Sequence, residues 1–187
     1  MPPKTRYTPD AVLDAALQVV EADGLRAVSA RSVAKLLGSS TQPVTKAFTS
    51  MQQLVDAVVE RLLAQLVEAV DAAEGPDPLR AAAYAFARFT ADRPTAYEAL
   101  FLLPHDAPPD WVRVRRSFAD RLDRSPRFAG LGAKQRDALA WRASVVTHGI
   151  CIEIWSGRWD RTDERSLRRM VDQLVEPITA TYLRDAG

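Results

Sequence analysis

The chain has one cysteine, Cys151, in 187 residues. One cysteine excludes an internal disulfide and fits a reducing cytoplasm. No apolar run is long enough to cross a bilayer, so no membrane contact is expected. The first residues, Met1 to Tyr7, carry Lys4 and Arg6 but no apolar segment behind them, which excludes a signal peptide from the reading. An excess of one charge is also lacking. The formal net charge is +1, so the protein as a whole is not a polyanion binder. Strand-like alternation of β-branched residues does not stand out either.

What remains is the composition of a globular protein with a real core: 47% hydrophobic and 26% charged residues. Alanine, leucine and arginine dominate, which favours helix. The expected fold class is all-α, with about nine helices.

Helix signals punctuate the chain. Thr8-Pro9 is a capping hydroxyl followed by proline at the first helical position, and Gly24 closes that helix. Ser29 opens a second helix, which Gly38 breaks. Ser40-Thr41-Gln42-Pro43 opens a third that runs to Phe48. Ser50 and Gln53 read as a capping box for a long fourth helix, with Val55, Val58, Val59, Leu62, Leu66, Ala69 and Val70 inward. Gly75-Pro76-Asp77-Pro78 ends it, starts the fifth, and is the expected domain boundary, with helix 4 belonging to both halves. Further helices are predicted over about 78–91, 95–102, 110–124, 133–155 and 163–183, with a loop at 126–132. Pro177 predicts a kink or a break in the last one.

Two short helices around Gly38 form a helix-turn-helix, a unit that can set its second helix in the major groove of duplex DNA. Charge agrees with this locally. Between Leu25 and Val55 stand Arg26, Arg31, Lys35 and Lys46 and no acid. Thr41 and Gln42 suit base edges, and Pro43 a thymine methyl. Arg31 suits a phosphate or a guanine. Ser29, Ser39, Ser40, Thr45 and Lys46 are phosphate candidates, and Lys4 and Arg6 sit on an arm able to enter a minor groove. Leu36, Leu37, Val44 and Phe48 are expected in the small core between the helices.

The stretch from Thr8 to Leu62 resembles the N-terminal domain of the TetR family of bacterial transcriptional regulators. The resemblance rests on the helix ending at Gly24, on Val28-Ser29-Ala30-Arg31-Ser32-Val33-Ala34, on Leu37-Gly38-Ser39-Ser40, and on Phe48, Ser50 and Leu54. It departs from the usual pattern at Thr45, Ala47 and Met51, where the family commonly has tyrosine, histidine and lysine. The resemblance implies a DNA-binding unit at 1–49 and a ligand-sensing and dimerisation unit at 50–187, with helix 4 serving both halves. It implies a homodimeric regulator, a repressor released from a palindromic operator by a small-molecule effector. The alternative is a helical small-molecule-binding or interaction protein that has lost operator recognition.

Aromatic residues are dense between Tyr84 and Trp159, and by helical spacing alone they read as core. Phe89 to Phe101, with Arg93-Pro94, and His148-Gly149 resemble the family's C-terminal domain type named for a Trp-His-Gly motif. This implies a ligand pocket among Phe86, Phe89, Tyr97, Phe101, Trp111, Phe118, Trp141 and His148. Leu167, Met170, Val171, Leu174, Ile178 and Tyr182 form a stripe on the last helix that can pack inward or against a second copy. The family's pairing of its last two helices implies the second use, with Gly149 and Ile152 at the same interface. His148, Cys151 and Glu153 lie close in sequence, but nothing orients the histidine as a base and the ligands are too few for a metal. No catalysis, metal or cofactor is expected.

Overall fold

A computed structural model describes residues 7–106 and 109–184. The described residues are helical, with no strand. The helices are α1 (Pro9–Asp23), α2 (Ala30–Leu36), α3 (Gln42–Ala47), α4 (Met51–Asp71), α5 (Pro78–Asp92), α6 (Pro94–Phe101), α7 (Trp111–Asp123), α8 (Ala133–Trp155) and α9 (Glu164–Arg184). Single 3₁₀ turns occupy Leu25–Ala27 and Pro126–Phe128. The chain divides into two compact units, one of Met1–Leu63 with Thr95–Pro109, the other of Ala64–Pro94 with Asp110–Gly187.

In the first unit α1, α2 and α3 pack against one another around Val12, Ala16, Val20, Val33 and Val44. Thr8 caps α1 by accepting from the Ala11 amide at 3.2 Å. Gly24 (φ 82°) and Gly38 (φ 60°) end α1 and turn the chain after α2. Both stand in the left-handed region that side-chain-bearing residues avoid, and this is why glycine punctuates here. Ser29 caps α2 through a reciprocal pair with Ser32. The start of α4 differs from its prediction in one detail. The Gln53 amide donates to Ser50 Oγ at 3.1 Å, but the Gln53 side chain accepts from the Thr49 amide at 2.7 Å instead of Ser50. The inward stripe of α4 is Leu54, Val58, Val59, Leu62, Leu63, Leu66 and Val70, while Val55 and Ala69 are only half-buried.

In the second unit α8 packs against α5, α7 and α9, and α5 also packs against α9. Phe86, Phe118, Leu139, Ala143, Leu167 and Val171 fill the core. The segment after Ser125 is not plain loop. Its 3₁₀ turn carries Phe128 into full burial. The last helix passes through Pro177 without a break. Proline removes one amide from the ladder, and the carbonyl left over belongs to exposed Gln173, where water can satisfy it.

The turn between α4 and α5 is held from α7. Arg121 donates Nε to the Pro78 carbonyl at 3.0 Å, Nη1 to Val70 at 3.0 Å and Asp71 at 3.2 Å, and Nη2 to Ala73. These include carbonyls that a helix leaves unpaired at its C-terminal end. Burial lowers the Arg121 pKa, against the nearby Asp71 carboxylate, which raises it. Replacing Arg121 by leucine removes every one of these bonds. The expected result is a loss of about 2 kcal/mol of folding stability, read from urea unfolding midpoints at unchanged slope. A loss within a few tenths would show that water replaces the guanidinium.

Candidate nucleic-acid interface

The helix-turn-helix presents the groups that the sequence singles out. Thr41 and Gln42 are exposed at the N-terminal end of α3, and Pro43 behind them is half-buried. Arg26, Arg31, Lys35 and Lys46 are all exposed, so this acid-free stretch puts its whole charge into solvent. Two of the four acids of neighbouring α1 face α4, where Arg61 stands 3.6 Å from Asp10 and 3.8 Å from Asp14. Lys4 and Arg6 lie outside the described residues.

A residue that the sequence reading missed orients the turn. The Tyr7 hydroxyl donates to the Leu37 carbonyl at 2.7 Å, across 30 residues, just ahead of Gly38. Nothing in a local pattern announces a bond of that sequence separation. Among the predicted core residues Val44 is buried and Leu37 and Phe48 are half-buried, but Leu36 is 51% exposed. Leu36 is the last residue of α2, and the inward face of that short helix is already taken by Val33 and Ala34.

Hydrogen bonding sorts the hydroxyl candidates. The Thr45 hydroxyl donates back to the Gln42 carbonyl at 3.1 Å, with Thr41 as a second acceptor at 3.4 Å. A hydroxyl has one proton, so in this rotamer Thr45 cannot also donate to a phosphate. Ser39 Oγ likewise donates to the Ser40 carbonyl at 2.9 Å. Ser29 Oγ serves its helix cap and meets Ser32 Oγ at 3.0 Å. Arg31, Ser40, Thr41, Gln42 and Lys46 show no side-chain bond within the chain among the described residues, and their polar groups point to solvent.

The residues expected to line one pocket are distributed. Tyr97 and Phe101 belong to the first unit, their ring centroids 5.1 Å apart. Phe86, Phe89 and Phe118 are buried in the second unit, Trp111 and His148 are half-buried, and Trp141 is 53% exposed. Trp141 is thus a surface residue of α8 and not part of an enclosed cavity. Of the second-unit residues in the set, Phe89 borders an open cleft of about 460 Å³ beside α5.

The expected interface residues also divide. Leu167, Met170 and Val171 are buried inside the chain, against α5 and α8, so they are core. Leu174 is 46% exposed, and Ile178 and Tyr182 follow it on the outer side of α9. On α8 the outer side carries Trp141, Val145 (50% exposed), Gly149 and Ile152, at helical spacing. An added Cβ at Gly149 would meet nothing within 4 Å, so no helix among the described residues uses the space that this glycine leaves.

His148, Cys151 and Glu153 diverge on α8. Cys151 is fully buried, His148 is half-buried, and exposed Glu153 is paired with Arg158, Nη2 to Oε1 at 2.7 Å. Burial lowers the His148 pKa below its ordinary value. The hydrogen bond from Arg158 and its charge lower the Glu153 pKa. Burial raises the Cys151 thiol to about 12.

No protein-family model matches this chain, and no curated protein sequence does. Solved structures match in fold. A protein of unknown function from Rhodococcus sp. RHA1 aligns at 23% identity and TM-score 0.65, covering 99% of this chain and 98% of its own. A TetR-like transcriptional regulator from Rhodococcus sp. RHA1 aligns at 17% identity and TM-score 0.62, over 96% of this chain and 98% of its own. A single-residue variant of TetR from Acinetobacter baumannii AYE, solved in complex with minocycline, aligns at 16% identity and TM-score 0.57, over 95% of each. The chain has the TetR-like fold along almost its whole length. No helix among the described residues is long and apolar enough to cross a membrane.

Cys151 provides a direct check on the core. A thiol held up at about 12 is inert, because the thiolate is the nucleophile. At pH 8, Ellman's reagent should label Cys151 only at the rate of global unfolding. The unfolded thiol ionises near 9 and the folded one near 12, so stability should fall as pH rises through that window. Rapid labelling of folded protein at pH 8 would contradict this packing of α8.

Proposed function

We propose that the protein is a DNA-binding transcriptional regulator of the TetR type. In this reading it is a homodimer that binds a palindromic operator and is a repressor released by a small-molecule effector. The observation that carries the reading is the exposed α3 N-terminus, with Thr41 and Gln42 outward, inside an acid-free stretch of four exposed cations. The fold likeness supports it, and the minocycline complex of one neighbour supports an effector-responsive second unit. Residues 1–49 would meet DNA, with Gln42 and Thr41 on base edges and Arg31, Ser40 and Lys46 on phosphates. With intracellular DNA as its partner, the protein would work in the cytoplasm. Nothing in this mechanism calls for catalysis or a cofactor.

The outer side of α8 and α9 supports the dimer. Trp141, Val145 and Leu174 are large apolar side chains left exposed on these two helices, and exposed apolar surface marks interfaces. Gly149 then has its use, since it lets the partner's backbone come close. A two-fold axis would set the two copies of α3 about 34–36 Å apart, one DNA turn, or a multiple of it. An effector would act through its difference in affinity between two states of the dimer, typically about 1–3 kcal/mol of coupling.

One observation favours the alternative, a helical binding protein without an operator. Thr45 stands where the family commonly has tyrosine, and its proton is committed to its own helix. Selection from a randomised duplex library at physiological salt, with the solution mass recorded, decides between the two. Enrichment of a palindrome by a dimer is expected. A dimer that enriches nothing would establish the alternative.

The roles within the site separate by mutation. Gln42→Ala should change base preference at one or two operator positions. Lys46→Ala should weaken all duplexes alike and reduce the salt slope by about 1. A uniform loss from Gln42→Ala would remove direct readout there. Leu174→Arg should leave the helical signal intact, halve the mass in solution and abolish operator affinity. A dimeric Leu174→Arg protein would put the interface elsewhere.

A further inference from the structure

The cleft beside α5 is built from two kinds of residue. Its floor is a run of alanines, among them Ala69, Ala72 and Ala73 at the end of α4 and Ala85 on α5. These alanine side chains do not reach past Cβ and are apolar. Its charged lining is Arg88, Arg93 and Arg168 with Glu74 and Asp92, and Glu164 lies against Arg168. Two of the arginines lie on aromatic faces, Arg168 over Tyr84 at 4.1 Å and Arg93 over Phe89 at 5.1 Å. Asp92 is already taken by Arg88, whose Nε meets it at 2.8 Å. Arg168 pairs with Glu164 through Nε at 2.9 Å and Nη2 at 2.8 Å, which leaves Nη1 for a further acceptor. That pair is more than half exposed, so it competes weakly with an incoming carboxylate.

We propose that this cleft is a binding site for a small aromatic monocarboxylate. A planar ring fits the alanine floor between the Tyr84 and Phe89 walls, and the carboxylate meets the Arg168 guanidinium at the rim. The volume of about 460 Å³ lies within the usual range for small-molecule sites. A second hollow of about 200 Å³ adjoins it and shares Tyr84, Ala81 and Arg168, which leaves room for a ring substituent. The site names a chemical class for the effector of the regulator reading and rests on that reading only for its consequence. Binding itself is measured on the protein without DNA.

The test is calorimetric titration of the full chain with 2-naphthoate and with 2-naphthamide, which share shape and differ in charge. Naphthoate should bind at one site per chain, and the amide about tenfold more weakly or worse. Ala85→Phe, which fills the floor, should abolish binding of both. Arg168→Gln, a surface change, should bring the acid down to the level of the amide. Circular dichroism checks that both variants fold. No binding of naphthoate, equal affinities for acid and amide, or full binding by a folded Ala85→Phe protein would overturn the site. A chain that takes naphthoate and enriches no duplex keeps the site and loses the regulator reading. A chain that selects a palindrome and ignores the charge keeps the reading and loses the site.

Discussion

The Arg121 guanidinium settles how α4 ends and α5 begins. A helix that stops leaves carbonyls without partners, and two prolines in the next seven residues cannot supply amides. Arg121 brings fixed donors from α7 to four carbonyls of this turn at once. The turn is then completed from within. Asp77 is buried, caps α5 by accepting from the Leu79 and Arg80 amides at 2.9 and 3.1 Å, and is paired with Arg127. A buried carboxylate needs such partners, since an unpaired one would be protonated or excluded. Arg127 also reaches Glu176 on α9 at 3.1 Å, and Arg80 reaches Asp172 at the same distance. Thus α4, α5, the 3₁₀ turn and α9 are bound by charge around one short loop.

The first unit is held differently. Its helix-turn-helix is built from α1, α2 and α3, and α2 and α3 are too short to be stable alone. Their geometry comes from a small apolar centre, two glycines in the left-handed region, and Tyr7 reaching across to Leu37. Holding the turn through backbone and core leaves the exposed side chains of α3 uncommitted. Thr45 is the exception on α3, and Ser39 in the turn before it, since each spends its proton on nearby backbone. Thr41, Gln42 and Lys46 keep their polar groups outward.

Local chemistry was legible in the sequence. Thr8-Pro9, Gly24, Ser29, Gly38 and Pro78 each act within a few residues, and each stands where its helix starts or stops. α8 begins at Ala133 and ends at Trp155, as its apolar run and flanking glycines indicate. What depends on three dimensions was not legible. Trp141 reads as an aromatic beside others, yet its position on the helix turns it outward. Leu167, Met170 and Val171 share a stripe with Leu174, but α5 and α8 cover the first part of the stripe and not the last. Arg121 and Tyr7 act over 30 residues or more, and no periodicity encodes that.

The same division accounts for the apolar residues on the outer side of α8. A helix at the surface of a monomer needs one apolar stripe and a polar back. The inner side of α8 meets α5, α7 and α9 through Leu139, Ala143, Ile150 and Cys151. Its outer side still carries Trp141, Val145, Ile152 and Trp155. On α9, Tyr182 lies under the Arg142 guanidinium at 5.2 Å. A strip of that kind costs solubility in a monomer and contributes nothing to its fold. A glycine amid it, with open space where a side chain would stand, weakens the helix for no return within one chain. In the proposed homodimer both features would find their use, with a second copy on this face and its backbone close at Gly149.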